Sequence, residues 1–397
     1  MRYRKTVVVL SALVLAAGGI AGQQRTPEYQ WDLPPGVSPP RLPLDAPMTS
    51  DRVELGRHLF YDTRLSGNGT QSCATCHIQA LAFTDGRSRG LGSTGERHPR
   101  SAMSLVNVAY RDALTWGNPT LLTLEEQVLV PLFATDPVEL GLAGHEERVY
   151  AALAASPVYQ RLFAAAFPRV GSMDSDEAPA EPLVTTKRVA LALAAFQRSI
   201  VSFRSPFDRH RFHGDETALS PAARRGMELF FSRRARCGGC HLGRPDQTHG
   251  ALSTDISLNL DGGSKTATSP LTGPPVFNFH NTGLYNLPGP VPYPPENTGR
   301  HAHTGNLEHV GQFRIPSLRN VVLTAPYMHD GSIAALSEVL DHYVAGGRAP
   351  NPQQSEAIEP LTLRGDERQD LIAFLQSLTD EALLRDPRWS DPWVLER

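Results

Sequence analysis

Lysine, runs of like charge and long apolar segments are all scarce in this 397-residue chain. Lys5, Lys187 and Lys265 are the lysines, so arginine carries almost all of the positive charge, and the formal net charge is -3. A surface that follows nucleic-acid phosphates needs clustered cations, and the sequence contains no such cluster. Alternating apolar and polar residues are also rare. We therefore expect no nucleic-acid partner and a mainly α fold.

Beyond the N-terminus, no segment is long and apolar enough to span a membrane. Residues 1–22 have the order of a secretory signal peptide, with a basic start, an apolar stretch over 6–17 and small residues at 19–21. A membrane anchor is the alternative, but the apolar stretch is short for a span. We expect cleavage of this segment, which predicts an exported, soluble, periplasmic protein without a membrane span.

The cysteines occur only in two Cys-x-x-Cys-His strings, formed by Cys73, Cys76 and His77, and by Cys237, Cys240 and His241. One such string is also compatible with a zinc half-site or a redox dithiol, and exported proteins often pair cysteines in disulfides. Two strings that use every cysteine are typical of c-type haem attachment. The thiols bond to the haem, and each histidine becomes the proximal iron ligand. The sequence thus predicts two covalently bound haem c cofactors.

An internal repeat divides the chain into two haem-binding units. The string GRHLFY at 56–61 precedes the first motif, and GMELFF at 226–231 precedes the second. Downstream, SLVNV at 104–108 matches SLRNV at 317–321, and Trp116 and His329 then occupy equivalent positions. We expect two cytochrome c-like haem domains related by internal duplication, at 51–205 and 206–380. A proline-rich arm at 23–50 and a C-terminal tail at 381–397 flank them.

Helical periodicity and capping residues predict the main elements of both domains. One helix is expected to begin at Asp51, and another is expected to begin at the Ser220–Pro221 cap. Further helices are expected over 124–132, 146–167, 185–202, 335–345 and 364–379. Residues 171–182 and 243–312 are rich in loop-forming residues and are expected to be long irregular loops, which are commonly functional.

The sixth ligand of each haem iron determines whether the haem carries electrons or reacts with a substrate. For the second haem, the sequence offers Met328, His329, His342 and Tyr343, and periodicity does not choose among them. Met328 is attractive as a ligand because methionine and histidine together ligate the iron in many electron carriers. The alternative is that Met328 packs in the apolar core. His301 and His303 form a second possible metal pair, for which a solvated loop is the favoured interpretation.

Several long strings resemble the bacterial di-haem cytochrome c peroxidase and MauG superfamily. They are FYDTRLS at 60–66, AFTDG at 82–86, RIPSLRNV at 314–321 and LTAPYMHDGS at 323–332. The resemblance covers roughly 50–380. Residues 92–105 and 283–287 look closest to the MbnH-like di-haem enzymes.

This resemblance implies roles for two aromatic residues. Tyr343 takes the position of the second haem's distal ligand, where a phenolate oxygen favours oxidised iron. Trp116 takes the position of an electron relay between the haems. The plain structural alternatives are a helix tyrosine packed by its ring and a core tryptophan.

The resemblance also implies a peroxide site at the first haem. Gln127 and Glu139 match the family's distal pair, and a buried carboxylate can move the proton that peroxide cleavage requires. The alternative for both is a solvated surface position. Ser93 stands where classical peroxidases have a distal histidine, which implies an open, high-spin first haem and a low-spin second haem. His98 lies nearby and is a weaker distal candidate.

A calcium ion is implied between the haems. In the family an asparagine and two backbone carbonyls hold it. Thr324 and Pro326 fit the carbonyl positions, while Ser101 stands at the asparagine position. Main-chain oxygens and water are the substitutes available there.

We therefore expect a periplasmic di-haem oxidoreductase that reacts with hydrogen peroxide at the first haem. Through a high-valent di-haem state it would oxidise a remote substrate, such as a tryptophan or another aromatic residue of a partner protein. One alternative is a cytochrome c peroxidase that takes electrons from a small cytochrome or cupredoxin. Another is a non-enzymatic di-haem electron carrier.

Overall fold

The computed structural model describes residues 28–111, 113–168, 182–241, 279–285, 293–348 and 351–394. The expected signal peptide and most of the loops expected at 171–182 and 243–312 lie outside these residues. Within the described ranges, no helix is long and apolar enough to cross a membrane.

Helices dominate the described residues, which confirms the mainly α prediction. The α-helices are α1 Ser50–Tyr61, α2 Cys73–Cys76, α3 Leu124–Gln127, α4 Leu129–Phe133, α5 Glu146–Ala154, α6 Pro157–Ala166, α7 Thr186–Ser199, α8 Pro206–His213, α9 Pro221–Phe231, α10 Cys237–His241, α11 His301–Thr304, α12 Leu336–Val344 and α13 Glu367–Gln376. Short 3-10 helices cover Thr63–Leu65, Gln79–Leu81, Val108–Tyr110, Pro295–Asn297, Leu307–His309, Val321–Leu323, Leu383–Arg385 and Pro392–Val394. The described strands, β1 Phe279–His280 and β2 Phe313–Arg314, pair antiparallel.

Two of the expected helices are divided. The segment 146–167 forms α5 and α6, because Pro157 lacks the N–H that a helix interior needs and instead begins a new helix after Ser156. The segment 124–132 is divided at Val128 into α3 and α4.

Helix α8 lies within 203–220, where the sequence predicted only a boundary. Its N-terminus is closed by a capping box, since the Ser205 N–H donates to Asp208 Oδ2 at 3.0 Å and the Asp208 N–H donates to Ser205 Oγ at 3.2 Å. Asp208 also forms a fully buried ion pair with Arg319 at 2.9 Å. The helix has only Phe207 and Asp208 buried, so its sequence lacks an apolar stripe by which it could be recognised.

In the first half, α1 and α7 cross without room for a side chain. A Cβ built on Gly56 would lie 1.9 Å from the carbonyl oxygen of Ala192. One turn further along α1, Phe60 packs against Phe196 with ring centroids 4.9 Å apart. The glycine thus allows the backbones to approach, and the aromatic pair fills the space beside the crossing.

The second half repeats this arrangement with α9 and α13. A Cβ on Gly226 would lie 1.9 Å from the carbonyl oxygen of Asp370, and Phe230 packs 5.2 Å from Phe374. The repeated strings at 56–61 and 226–231 therefore have the same packing role. This correspondence supports the interpretation of an internal duplication.

The second pair of repeated strings also has matching contacts. Asn107 and Asn320 both have left-handed φ angles, of 55° and 58°, and each precedes a 3-10 helix. The Asn107 side-chain oxygen accepts from the Ser202 N–H at 2.7 Å, and that of Asn320 accepts from the Asp380 N–H at 2.8 Å. Each asparagine thus ties the chain after a haem motif to the segment that follows α7 in the first half or α13 in the second.

The apolar core has two main clusters, one in each half. The C-terminal tail returns to the first cluster, where Trp389 is 1% exposed and its indole N–H donates to the Ser199 carbonyl at 3.1 Å. The Trp393 indole N–H donates to the His58 carbonyl at 3.2 Å. The tail therefore packs against α1 and α7 rather than against the half that precedes it.

The helix crossing generates a stability prediction. Substituting Gly226→Ala should destabilise the haem-loaded protein by about 1–3 kcal/mol or more, because the added methyl overlaps backbone rather than a movable side chain. Denaturant unfolding measures the change. Glu228→Ala, at an exposed position of the same helix, should stay within about 0.5 kcal/mol of the wild type. Equal effects of the two substitutions would contradict the close crossing.

Candidate functional site

The first haem motif forms the short helix α2 and the residue that follows it. Nδ1 of His77 lies 2.9 Å from the Phe83 carbonyl oxygen, so a proton on Nδ1 donates to that carbonyl and leaves Nε2 available as a ligand. Burial lowers the pKa of His77, which keeps the imidazole neutral. Phe60, from the α1–α7 crossing, packs 6.5 Å from this imidazole. The helix crossing thus helps to position the proximal histidine.

Glu139 lies close enough to the first motif to act electrostatically on both of its thiols. Burial raises the pKa of Cys73 to about 12 and that of Cys76 to about 11, and the charge of Glu139 adds to both shifts. Burial also raises the pKa of Glu139 itself to about 7. A carboxyl group with this pKa can both accept and release a proton near neutral pH.

Backbone contacts hold the loop that carries Glu139. The Ser93 N–H donates to the Glu139 carbonyl at 2.7 Å, and the Val138 N–H donates to Glu96 Oε2 at 2.9 Å. Gly92 is required here, because a Cβ at that position would lie 1.7 Å from the Val138 carbonyl oxygen. The residue at the position of the classical distal histidine, Ser93, is therefore hydrogen-bonded to the backbone of Glu139.

The other two distal candidates lie on separate elements. His98 is partly buried, its Nε2 has no hydrogen-bond partner, and burial lowers its pKa, while the Val138 backbone raises it in part. His98 is thus next to the residue that precedes Glu139. Gln127 is the partly buried last residue of α3.

The second haem motif forms α10 and faces a large cavity. Its empty volume is about 2000 Å³ with the open mouth included. The walls are mostly apolar, and the residues of the motif that line them are Cys237, Cys240 and His241. The buried guanidinium groups of Arg111 and Arg314 lie in the same wall.

His241 presents a neutral imidazole to this cavity. Burial lowers its pKa to about 4, partly offset by the nearby Pro316 carbonyl, although Nδ1 lacks a hydrogen bond of normal geometry. Phe230, from the α9–α13 crossing, packs 6.2 Å away. The two proximal histidines thus have equivalent aromatic neighbours.

Tyr343 projects from α12 into the same cavity. Burial raises the pKa of its phenol, and the charges of Cys240 and Cys237 raise it further, so the hydroxyl lies near both thiols. Met328 and His329 also line the cavity. His342 is not part of the wall, and its Nε2 lies 2.9 Å from the Thr282 carbonyl oxygen.

Trp116 lines the cavity on the side of the first half. Its indole N–H donates to the Ser101 carbonyl at 3.0 Å, and its own carbonyl accepts from the Arg314 N–H at 2.9 Å. The ring lies 6.4 Å from His329 in an edge-on arrangement. The two residues that the repeat makes equivalent are therefore neighbours between the halves.

The expected calcium position adjoins Trp116. Thr324, Pro326 and Ser101 all line the cavity. The Ser101 hydroxyl donates to the Met328 carbonyl at 3.2 Å. Calcium at this position stays a prediction.

The two histidines of α11 lie apart from these sites. His303 is exposed, and His301 Nδ1 lies 2.9 Å from the Asn306 carbonyl oxygen. Among the described residues, no group of three or more histidine, cysteine, aspartate and glutamate side chains is arranged to hold a metal ion.

Comparison with known proteins places the chain among di-haem enzymes. The family model described as di-haem cytochrome c peroxidase matches residues 50–217. A cytochrome-c peroxidase of Denitromonas iodatirespirans is 34% identical over 98% of this chain and 96% of its own. The MauG protein of Methylorubrum extorquens is 33% identical over 85% of this chain and 81% of its own. This chain belongs to the di-haem cytochrome c peroxidase and MauG family.

A solved structure gives the same result for the fold. The crystal structure of a MauG-like protein associated with microbial copper homeostasis is 43% identical, with a TM-score of 0.79 over 92% of this chain and 99% of the other. The family predicted from the sequence is therefore confirmed.

The family implies two haem c groups, and the residues present fit them. Each motif places two thiols and one neutral imidazole on a single helical turn, which is the arrangement for covalent attachment and axial ligation. At the second site, Arg111 and Arg314 suit the carboxylates of a haem edge.

Tyr285 and Asp330 were not predicted as site residues, although both lie in strings that carried the family resemblance. The Tyr285 hydroxyl donates to Asp330 Oδ2 at 2.8 Å and lies 3.3 Å from His329 Nε2. The available signal in the sequence was a polar residue, Asp330, inside the family string at 323–332. The spacing of the residues did not indicate that Tyr285 would be its partner.

Ligation by Tyr343 has a spectroscopic test. Tyr343→Phe removes the only oxygen donor of that side chain, so the absorption and EPR spectra of the second ferric haem should change while haem content is retained. The matched control is Tyr327→Phe, which removes the hydroxyl of another tyrosine in the cavity wall and should leave the spectra unchanged. Unaltered spectra in Tyr343→Phe, or a change in Met328→Leu instead, would contradict the assignment.

Proposed function

We propose that this protein is an exported, periplasmic oxidoreductase that uses hydrogen peroxide to oxidise a substrate remote from the peroxide site. A protein of the MbnH-like kind, acting on an aromatic residue of a partner protein, is the form we favour. The 43% identity with a MauG-like protein supports this form. The observation that carries the proposal is the partly buried Glu139 beside the first haem motif, with its pKa raised to about 7.

Haem, when bound, supplies a redox-active iron at which peroxide can be cleaved and its oxidising equivalents stored. The protein's part is to move protons. Glu139 would take the proton from one peroxide oxygen and return it to the other, which makes that oxygen a better leaving group. Gln127 would orient the peroxide, and Ser93, with a short side chain, would leave room for it.

The residues between the halves would carry the oxidising equivalents away. Trp116 lies in the cavity wall and in contact distance of His329, which supports a relay role. Tyr343 would ligate the second haem iron through an oxygen atom that favours the oxidised state. Calcium near Thr324 and Pro326 would fix the relative position of the halves at this point.

A cytochrome c peroxidase is the second candidate function. It is favoured by the curated relative of 34% identity that carries this name and aligns over nearly the whole chain. In that case the remote donor would be a small electron-transfer protein rather than an aromatic residue. Rapid peroxide turnover with a reduced small cytochrome or cupredoxin would distinguish it.

The proton-transfer role of Glu139 has a kinetic test with a defined pH dependence. Glu139→Gln should lower the rate constant for the reaction of peroxide with the ferric protein by about 10²–10⁴-fold. In the wild type this rate constant should rise with pH through about 7, because the carboxyl group must be ionised to accept a proton. Stopped-flow absorption over a pH series measures both effects.

The matched control is Glu126→Gln, an exposed acid of α3, which should keep the wild-type rate and pH profile. A Glu139→Gln variant that still shows the same pH midpoint would assign the titration to another group and refute this role.

A further inference from the structure

Tyr285 contacts His329 and is not itself part of the cavity wall. The Tyr285 and His329 rings meet edge-on with centroids 5.6 Å apart, and the phenol oxygen lies 3.3 Å from His329 Nε2. Tyr285 is partly exposed, whereas His329 is buried. The pair therefore connects the interior to the surface.

Aromatic contacts continue from His329 to the cavity wall. Trp116 lies 6.4 Å from His329 by ring centroids, and Phe313 stacks on the same imidazole at 3.5 Å. Trp116, Phe313 and His329 all line the cavity, while Tyr285 does not. Because electron transfer weakens steeply with distance, a series of rings in contact is a favourable route from the cavity to Tyr285.

The Tyr285 hydroxyl also has a base positioned to receive its proton. It donates to Asp330 Oδ2 at 2.8 Å, and the other oxygen of this buried carboxyl group accepts from the Ser332 N–H at 3.0 Å. Burial raises the pKa of Tyr285, with Asp330 adding to the shift, so the phenol is protonated in the resting protein. Removing an electron from a protonated phenol is favourable only if the proton leaves as well, and Asp330 is within reach to take it.

Two other tyrosines lack this combination. Tyr293 packs 5.1 Å from Tyr285, but its hydroxyl donates to the amide oxygen of Asn281, which is not a base at neutral pH. Tyr159 donates to Asp62 at 2.7 Å, but it is fully buried, and Asp62 is paired with Arg64. Tyr285 alone among these three joins partial exposure, a carboxylate acceptor and the contact with His329.

We propose that Tyr285 is a proton-coupled redox relay that links an external aromatic one-electron donor to Trp116 through His329. Tyr285 gives an electron inward and its phenolic proton to Asp330 Oδ2, which leaves a neutral tyrosyl radical. The external donor then returns one electron, and Asp330 returns the proton. Hydrogen peroxide is the final oxidant: it takes up two electrons, one from each of two donor molecules, and two protons from solvent to give two waters, while each oxidised donor releases one proton to solvent. The relay therefore acts twice for each peroxide. The inference rests on the proposed function.

Freeze-quench EPR of the haem-loaded full chain, mixed with one equivalent of hydrogen peroxide, tests the relay. A tyrosyl radical should appear in the wild type, and ring-deuterated tyrosine should narrow its signal, which distinguishes it from a tryptophan radical. Tyr285→Phe should lose this signal while the absorption change caused by peroxide keeps its rate. Asp330→Asn, which keeps the shape but removes the base, should slow radical formation by about 10²-fold.

Tyr150→Phe is the matched control. The Tyr150 hydroxyl is also hydrogen-bonded to a side chain, Thr186 Oγ1 at 3.0 Å, but Tyr150 belongs to α5 rather than to the proposed relay. It should keep the wild-type signal. A wild-type yield of tyrosyl radical in Tyr285→Phe, or no tyrosyl radical in a wild-type protein whose haem spectrum responds to peroxide, overturns the relay alone. No response of the haem spectrum to peroxide overturns the proposed function, and the relay fails with it.

Discussion

The close crossing of two helices in each half is the contact on which the rest of the structure depends. Gly56 and Gly226 let α1 meet α7 and α9 meet α13 at backbone contact. Since no side chain separates the helices, Phe60 and Phe230 are held beside His77 and His241. A shift at either crossing would move the aromatic ring that supports a proximal histidine. Packing between the helices thus sets the geometry of both candidate haem sites.

The two sites differ in what surrounds this common support. At the first, the Ser93 N–H holds the backbone of Glu139, and Gly92, which has no side chain, lets the two loops approach. These contacts keep the loop of Glu139 close to the thiols. At the second, Tyr343 shares a large cavity with the motif. One site therefore holds a group that can transfer protons, and the other holds an oxygen donor suited to iron. The same helical frame thus presents different side chains at the two sites.

The sequence was sufficient for the features that depend on local spacing. The haem motifs, the long amphipathic helices and the paired strings around Asn107 and Asn320 were predictable because each is defined within a few residues. The break before Pro157 needed only the missing N–H of proline, yet an apolar pattern that continued across it concealed the break. Helix α8 was hidden for another reason, since it buries only Phe207 and Asp208 and so has no apolar stripe, and the partner of Asp208, Arg319, is far away in the chain.

Contacts between distant segments account for what could not be predicted. The return of Trp389 to Ser199, and the meeting of Tyr285 with Asp330, each join residues whose separation has no helical or strand period. Both residues of the second pair lie in strings that a family resemblance picks out, but resemblance assigns no partner. Only a structure shows that the tyrosine hydroxyl and the carboxylate are in contact.

Burial moves the titratable groups of both sites towards their neutral forms. It lowers the pKa of His77 and His241 and raises that of Glu139 to about 7. Such an interior is unfavourable for new charge, because a charged group loses its hydration there. Electron transfer through this interior should therefore be accompanied by proton transfer, because losing an electron alone would leave a new charge in the protein. Glu139 at one end and Asp330 at the other stand where such protons would be exchanged.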